Sequence, residues 1–347
     1  MKKLYYVFII VAMSLLGLTA VLANSANGTD LEGQELWSFA YFGQDDFFHR
    51  PSDMEYDAAN SLIYIADYGN NRVLVFDADG RFVRAIGNKG QGPGEFAGPT
   101  GLCMMEDSRL AVADYGNNRI QIFSPDGQFD RAINTRELQV ADLIVAGEEI
   151  YTVPSYGASG FRLNMGLKED SQPLVNVLDL EGNVVRSLTT DAYPETQPFI
   201  RSIKHRVSMA LAPDGRLFLP FFAINMIYVF DPAGNKVNEI ERPLSFRPIF
   251  PQLLQQKSAG GVIQMMAKTD TVSQTSGFGQ DGCLYILTNT ESTDKLRKAL
   301  KDPEDSMQVP MRLDRLDAET FKTVGSIDVD SNVRTFTLIG RLSLIHI

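Results

Sequence analysis

A tandem repeat in the first third of the chain constrains the fold more than any other feature. A shift of 47 residues aligns residues 62–86 with residues 109–133, and 14 of the 25 positions are identical. The heptapeptide Ala-Asp-Tyr-Gly-Asn-Asn-Arg occurs at residues 66–72 and again at 113–119. A repeat of this kind indicates one supersecondary unit, which buries a core by stacking against its copies.

The pattern within the unit predicts four short strands. Residues 62–66, 73–77 and 82–86 are rich in β-branched and aromatic side chains, and turn signals separate them: Tyr-Gly-Asn-Asn after the first run and Asp-Gly after the second. Residues 101–105 add a fourth run of the same type. Four short strands with tight turns favour an antiparallel sheet.

Weaker copies of the unit follow along the chain. They lie at residues 175–188, 214–240 and 281–327, and a further copy begins at residues 333–339. Radial repetition of four-stranded sheets is the β-propeller. We therefore predict an all-β fold, a six-bladed β-propeller of four-stranded antiparallel blades, over residues 35–341.

A propeller ring needs closure, because an open ring leaves a long sheet edge exposed. The one unassigned strand, at residues 35–42, is predicted to join the last blade, whose C-terminal end we expect to be truncated. Residues 342–347 match the translation of a sequencing-library adapter, so we interpret them as an artefact. The alternative is a genuine edge strand, since apolar residues alternate there.

The N-terminus resembles a secretory leader. Lys2 and Lys3 precede an apolar run that ends in small residues near Ala23, so residues 1–23 are predicted to be a signal peptide and residues 24–34 a flexible segment. An uncleaved anchor is the alternative, because the run approaches the ~20 residues that span a bilayer. With the leader removed, we expect a periplasmic or secreted protein with no membrane span.

The repeat motif resembles a known family. Asp-Tyr-Gly-Asn-Asn-Arg followed by Val or Ile, Phe, Asp-Gly and Phe, and then Ile-Gly-Asn-Lys-Gly-Gln-Gly-Pro-Gly-Glu-Phe at residues 86–96, is similar to the NHL-repeat six-bladed propellers of extracytoplasmic bacterial type. The resemblance is strong in the first two units and weak in the later ones. It implies a scaffold that mostly binds proteins or other ligands and that is an enzyme in a minority of cases.

Four long insertions point to one pole of the predicted ring. In an up-and-down blade, the loop after strand two and the connector to the next blade emerge on the same side. The long loops are residues 155–173 and 290–308, with a short helix predicted at 294–301, and the long connectors are residues 189–204 and 243–275. Such lengths are typical of functional or disordered segments, so the insertions form either a lid over the axial channel or a passive surface.

These insertions and the repeat turns supply the candidate ligand-binding residues. Aromatic and basic side chains such as Phe250, Arg242 and Arg247 are typical of recognition surfaces. We accordingly expect a protein or an extracellular ligand to bind on the long-loop face. The candidates at the channel mouth and in the inserts are Tyr68, Asn70, Arg72, Tyr115, Asn117, Arg119, Tyr156, Arg201, Asn225 and Asn289.

The repeated aspartates have two interpretations. Asp67 and Asp114 can accept backbone N–H bonds within a tight turn, a structural role, or they can offer oxygen ligands to Ca²⁺. Pro154 and Phe221 occupy the corresponding positions of the third and fourth units, which argues against a complete ring of ligands. We favour the structural role and keep the two aspartates as weak metal candidates, with no cofactor otherwise expected.

Composition narrows the function classes further. The net charge of −11 disfavours a nucleic-acid partner, because phosphate backbones attract basic surfaces. With His346 set aside, two histidines are too few for a zinc-dependent lyase. The alternative to a binding module is a divalent-metal-dependent hydrolase, lactonase-like or esterase-like, at the channel mouth. Cys103 and Cys283 belong to blades on opposite sides of the ring, so we expect two separate buried thiols.

Overall fold

The protein is described by a computed structural model that covers most of the repeat region. Three strands near the N-terminus, Tyr6–Ser14 (β1), Gly17–Ser25 (β2) and Glu32–Phe39 (β3), form one antiparallel sheet. Within the described residues, no helix is long and apolar enough to cross a lipid bilayer. Besides these strands, the structure describes residues 47–136, 138–155, 173–189, 203–257, 263–279, 281–292 and 311–329.

The tandem repeat forms the first two blades, each a four-stranded antiparallel sheet with its strands in chain order. Blade one contains Asp53–Asp57 (β4), Leu62–Asp67 (β5), Arg72–Asp77 (β6) and Phe82–Ile86 (β7). Blade two contains Pro99–Met104 (β8), Leu110–Asp114 (β9), Arg119–Phe123 (β10) and Phe129–Asn134 (β11). In each blade the Tyr-Gly-Asn segment of the repeat turn forms a short 3₁₀ helix, Tyr68–Asn70 and Tyr115–Asn117.

Three further sheets repeat the same plan. Blade three contains Val140–Ala146 (β12), Glu149–Pro154 (β13), Val175–Leu178 (β14) and Val184–Leu188 (β15). Blade four contains Ala210–Leu211 (β16), Leu217–Pro220 (β17), Ile227–Phe230 (β18) and Lys236–Ile240 (β19). After a separate pair, Gln252–Lys257 (β20) and Ile263–Lys268 (β21), blade five contains Ser273–Phe278 (β22), Cys283–Asn289 (β23), Met311–Asp317 (β24) and Thr323–Val329 (β25).

The predicted propeller of four-stranded antiparallel blades is confirmed. The described part of the chain contains five such blades, and residues 333–339, predicted to begin a sixth, lie outside it. The helix predicted at residues 294–301 also lies outside the described residues.

The strand predicted to close the ring forms part of the N-terminal sheet. Glu32–Phe39 (β3) pairs along one edge with Gly17–Ser25 (β2), and residues 333–341 of the last blade, which we expect it to join, lie outside the described residues. Closure of the ring by residues 35–42 therefore stays a prediction. The flexible segment predicted at residues 24–34 also stays a prediction, because residues 24–25 end β2, residues 32–34 begin β3, and those between them lie outside the described residues.

The hydrophobic core lies between blades rather than within them. Tyr64 and Val75 of blade one form a cluster with Leu102 and Val112 of blade two, and all four are buried. Equivalent clusters join blade two to three, three to four and four to five. The middle strands are therefore covered on both faces, which explains why Leu62–Asp67 is a nearly continuous apolar run instead of an alternating one.

The hairpins between strands three and four have the sequence Asp-x-x-Gly in blades one, three and four, while blade two has Ser124 in the Asp position and blade five has Thr320 in the Gly position. In blade one, Oδ1 of Asp77 accepts the backbone N–H groups of Asp79 and Arg81 at 3.0 and 2.8 Å. Gly80 has a φ of +78°, which glycine adopts without steric cost, and the strand register shifts by one residue beyond the turn. The hairpin predicted from the Asp-Gly signal is therefore present, and the structure adds a β-bulge next to it.

The first strands of neighbouring blades lie next to one another and are joined by hydroxyl groups. Ser52 Oγ donates to the carbonyl of Pro99 at 3.0 Å, and Thr100 Oγ1 donates to the carbonyl of Val140 at 2.9 Å. These first strands are consequently the innermost strands of blades one to three.

The inter-blade packing predicts a difference between two glycines of positive φ. Gly147→Ala meets open space, so it costs only the left-handed backbone strain of about 1–2 kcal/mol. In Gly182→Ala the added Cβ lies 2.2 Å from the carbonyl oxygen of Asn134 in blade two, so blade three must move away from its neighbour. We expect a further loss of at least about 2 kcal/mol, measured as the free energy of unfolding in urea. Equal losses for the two variants would contradict this account.

Candidate functional site

Loops after strand two and blade-to-blade connectors meet at one side of the protein, which we call the connector pole. In blade two, the N–H of Gly116 donates to the carbonyl of Ala97 in the connector from blade one at 2.8 Å. Between blades four and five, the N–H of Val272 donates to the carbonyl of Phe222 at 2.7 Å, and Ser245 Oγ donates to the carbonyl of Thr290. The described bases of the long insertions predicted at 243–275 and 290–308 therefore share the connector pole.

The repeated aspartates end the second strands and hold the connectors. Asp114 is fully buried; its Oδ1 accepts the N–H of Ala97 at 2.7 Å, and its Oδ2 accepts from Asn117 and Arg119 at 2.8 Å each. Asp67 repeats the arrangement with the N–H of His49, at 2.7 Å, as the connector group. Protein N–H groups thus bind both oxygens of each carboxylate.

Arg119 clamps the connector between blades one and two. Its Nε pairs with Asp114, while its remaining nitrogens donate to three main-chain carbonyls at 2.7–2.9 Å, those of Gln91, Gly92 and Glu95. The planar guanidinium suits such a set of convergent acceptors. In blade one, Arg72 makes the same contact with Asp67 at 3.0 Å and donates to the carbonyl of Phe47 at 3.3 Å.

The remaining turn residues contact the segments that precede or follow their blades. The side-chain amides of Asn70 and Asn117 donate to the carbonyls of Phe47 and Gly90 at 3.0 and 2.9 Å. The guanidinium of Arg50 stacks on the Tyr68 ring, 5.0 Å from its centre. The hydroxyl of Tyr115 donates to Oε1 of Gln139 at 3.1 Å.

The structure therefore brings the six predicted residues of blades one and two together in two structural clusters. Their named polar groups are used within the protein, which supports the structural interpretation of the Asp-Arg pairs. Among the described side chains, no group of three or more His, Cys, Asp and Glu residues is arranged to hold a metal ion. Ligand binding by these turns stays a prediction.

The other four candidates belong to blades three to five. Asn225 donates from Nδ2 to the carbonyl of Arg242 at 2.7 Å, which joins the loop of blade four to the next connector. Asn289 is buried, with its Oδ1 accepting from Gln274 at 3.3 Å. Tyr156 and Arg201 lie outside the described residues.

Arg242, predicted to belong to a recognition surface, is instead buried between blades four and five. It donates to Thr288 Oγ1 at 2.6 Å and to Ser273 Oγ at 2.8 Å, and it pairs with Asp314 at 3.3 Å. Burial lowers the pKa of Arg242 to about 10, although Asp314 acts in the opposite direction. The sequence did not predict the burial of Arg242, because its partner Asp314 lies 72 residues away in the chain.

Three carboxyl groups gather on the innermost strands, and the sequence analysis missed them. Asp53 and Glu55 alternate on β4, and Asp142 lies on β12. Desolvation raises the pKa of Glu55 to about 8, with Asp142 adding a like charge, and desolvation raises that of Asp142 to about 6. Burial and the two neighbouring carboxylates also raise the pKa of Asp53, whose Oδ2 accepts the N–H of Leu102 at 2.7 Å.

The spacing of Asp53 and Glu55 could have predicted part of this cluster, because residues two apart in a strand share one face. Nothing in the sequence places Asp142 beside them. Each of the three side chains is half-buried, surrounded by protein and close to like charges. The arrangement can retain protons at a pH at which exposed carboxyl groups have lost them.

The two cysteines are separate, as predicted. Cys103 and Cys283 are buried free thiols on β8 and β23. Burial raises the pKa of both thiols, and nearby carboxylates act in the same direction. Both thiols are accordingly protonated and weakly reactive in the folded protein.

Comparisons with known proteins agree with the fold. Residues 47–134, which include blades one and two, match the DUF5128 family model, described as a 6-bladed beta-propeller. No curated protein matches the chain in sequence.

Solved structures similar to this chain include two from Bacteroides. One is a DUF4221 family member from Bacteroides vulgatus, with 11% identity and a TM-score of 0.57 over 86% of this chain and 88% of that chain. Another is a protein of unknown function from Bacteroides caccae, with 14% identity and a TM-score of 0.55 over 98% of both chains. Virginiamycin B lyase from Staphylococcus aureus has 11% identity and a TM-score of 0.47 over 83% of this chain and 73% of that chain, too distant for a functional argument.

The clamp at the connector pole predicts a large loss of stability in Arg119→Ala. The substitution removes four hydrogen bonds and leaves the buried Asp114 carboxylate with fewer donors, so we expect a loss of about 2–4 kcal/mol in the free energy of unfolding. Arg81→Ala is the matched control, because the Arg81 side chain is 73% exposed and pairs with exposed aspartates. We expect the control to change stability by less than about 0.5 kcal/mol. Similar values for both variants would refute the clamp.

The carboxyl cluster predicts that Glu55→Gln stabilises the protein at alkaline pH. Glu55 keeps its proton in the folded state up to about pH 8, whereas the unfolded chain loses it near pH ~4.3. Its contribution to stability is therefore complete below the unfolded pKa and is lost as the pH rises through the folded pKa. We expect little effect at pH 4 and a gain of at least about 1 kcal/mol at pH 9, measured by urea unfolding.

Glu148→Gln provides the control for this pH series, because Glu148 is an exposed carboxyl group in the turn after β12. A gain at pH 9 that both variants share would mean that general charge reduction, and not the innermost cluster, causes the effect.

Proposed function

We propose that this protein is an extracytoplasmic, NHL-type propeller that acts as a binding module. In this proposal a protein or another extracellular ligand docks on the connector pole over blades three to five. The supporting observation is that the bases of two long insertions meet there, through Ser245 with Thr290 and Phe222 with Val272.

The contrast between the two halves of the chain supports this location. In blades one and two the loop after strand two is a compact turn, whose Asp, Asn and Arg side chains bind the segment that leads into the blade. In blades three and five the same position carries long insertions, which are not needed to close a four-stranded sheet. Loops of this length in a compact domain are usually functional.

Side chains at the bases of the insertions are suited to recognition. Phe250 is 43% exposed, and the ammonium of Lys204 lies 4.4 Å from the centre of its ring. Exposed aromatic rings beside basic groups are typical of protein interfaces. The similarity of the repeat to the NHL family supports the same class of function.

The proposal is tested by replacing residues 290–308 with the Tyr-Gly-Asn-Asn turn of blade two. Both full chain and variant are used to capture partners from an envelope extract of the source organism, with quantification by mass spectrometry. We expect at least about a tenfold loss of the captured partner, since removing a few interface anchors is sufficient for that effect. The thermal midpoint should fall by less than about 4 °C, because the blade strands remain.

Glu319→Ala together with Thr320→Ala is the control, because both residues are exposed in the strand-three-to-four hairpin of blade five, on the opposite side. Capture that survives the loop replacement unchanged would refute the proposal.

A further inference from the structure

The connector between blades four and five contains a β-ribbon of two strands. Gln252–Lys257 (β20) pairs with Ile263–Lys268 (β21) over six residue pairs, from Gln252 with Lys268 to Lys257 with Ile263. In the described part of the chain, no third strand joins this pair. A strand edge of this kind presents a row of main-chain N–H and C=O groups, and isolated two-stranded ribbons are only marginally stable in water.

The charge of this insertion is opposite to that of the protein. Residues 243–268 contain no Asp or Glu, but they include Arg247, Lys257 and Lys268, whereas the whole chain has a net charge of −11. The register places Lys257 at one end of the ribbon and Lys268 at the other. Each strand of the ribbon therefore carries one lysine, so a peptide that pairs with either edge lies beside one positive position.

The base of the ribbon adds basic groups. Arg247 is exposed, and the ammonium of Lys204 lies over the Phe250 ring. The nearest acidic residue after the ribbon, Asp270, is buried, and its Oδ2 accepts the N–H of Ile249 at 2.7 Å. Arg247 is therefore an exposed positive charge at the base of the ribbon, whereas Lys204 is buried.

We propose that the β20–β21 ribbon binds an extended acidic peptide as a third strand. This inference rests on the proposed binding function and specifies the class of partner. Main-chain pairing along the edge supplies affinity, and the lysines select for acidic side chains. A polysaccharide lacks the periodic amide groups that the edge requires.

The test uses the full chain and a labelled nine-residue peptide with alternating Glu and Val, blocked at both ends. We expect binding in fluorescence anisotropy that weakens as salt is raised. Two matched peptides separate charge from strand pairing: one has Lys in place of Glu, and one keeps Glu but carries N-methyl groups on alternate amides. Each should bind at least about tenfold more weakly, because each lacks one of the two recognition elements.

Charge reversal identifies the ribbon as the binding place. Lys257→Glu with Lys268→Glu should weaken binding of the acidic peptide at least about tenfold. Lys236→Glu with Lys322→Glu changes the net charge equally at the strand-three-to-four hairpins of blades four and five, and should leave binding unchanged. Amide hydrogen exchange should slow within residues 252–257 or 263–268 when the peptide is bound.

Three results would overturn the proposal: equal binding of the N-methylated peptide, an equal effect of the two double reversals, or displacement by dextran sulfate with no change in amide exchange. The last result would identify a general polyanion surface. Failure here is distinct from failure of the binding function, because replacement of residues 290–308 could still abolish capture while the ribbon variants retain it.

Discussion

Burial between neighbouring blades is the constraint on which this structure depends. The middle strands are covered on both faces, so a single blade has no core of its own, and each hydrophobic cluster is shared by two sheets. Sheets packed in this way require fixed spacing and register at their interface. The loops at the connector pole add single side chains to that packing, such as Phe96 and Phe221, while the strands supply most of it. The same scaffold can therefore carry a four-residue turn in one blade and a long insertion in another.

Polar interactions at the connector pole bind the backbone groups of the connectors, which apolar packing between blades leaves without partners. A connector must cross from the outer strand of one blade to the innermost strand of the next, and its backbone groups need partners. In blade two, Asp114 and Arg119 supply them from the blade that follows the connector. Between blades four and five the direction is reversed, since Arg242 extends from the connector into blade five. Both solutions bury a charge and surround it with hydrogen-bonding groups.

Sequence reasoning predicted the blades because their signals are local. The heptapeptide of residues 66–72 and the Asp-Gly hairpins determine turns within a few residues, and the strands follow from them. It failed where partners are distant in the chain. Glu55 and Asp142 come near each other only because the first strands of blades one and three both lie beside that of blade two, and Arg242 is buried by residues of the next blade. Closure of the ring by β3 stays a prediction, since an alternating strand carries no information about which free edge it will meet and the last blade lies outside the described residues.

The clamp of blade two also has an evolutionary consequence. The clamp consists of the Asp114 carboxylate, the Arg119 guanidinium and the carbonyl groups to which Arg119 donates. All of them lie between Gln91 and Arg119, a stretch shorter than the 47-residue offset of the repeat. A duplication that includes this stretch copies the Asp–Arg clamp and the connector that it binds. A newly added blade can therefore attach to the blade before it. The 14 identities among the 25 aligned positions of the first two units are what duplication of such a self-sufficient segment would leave behind.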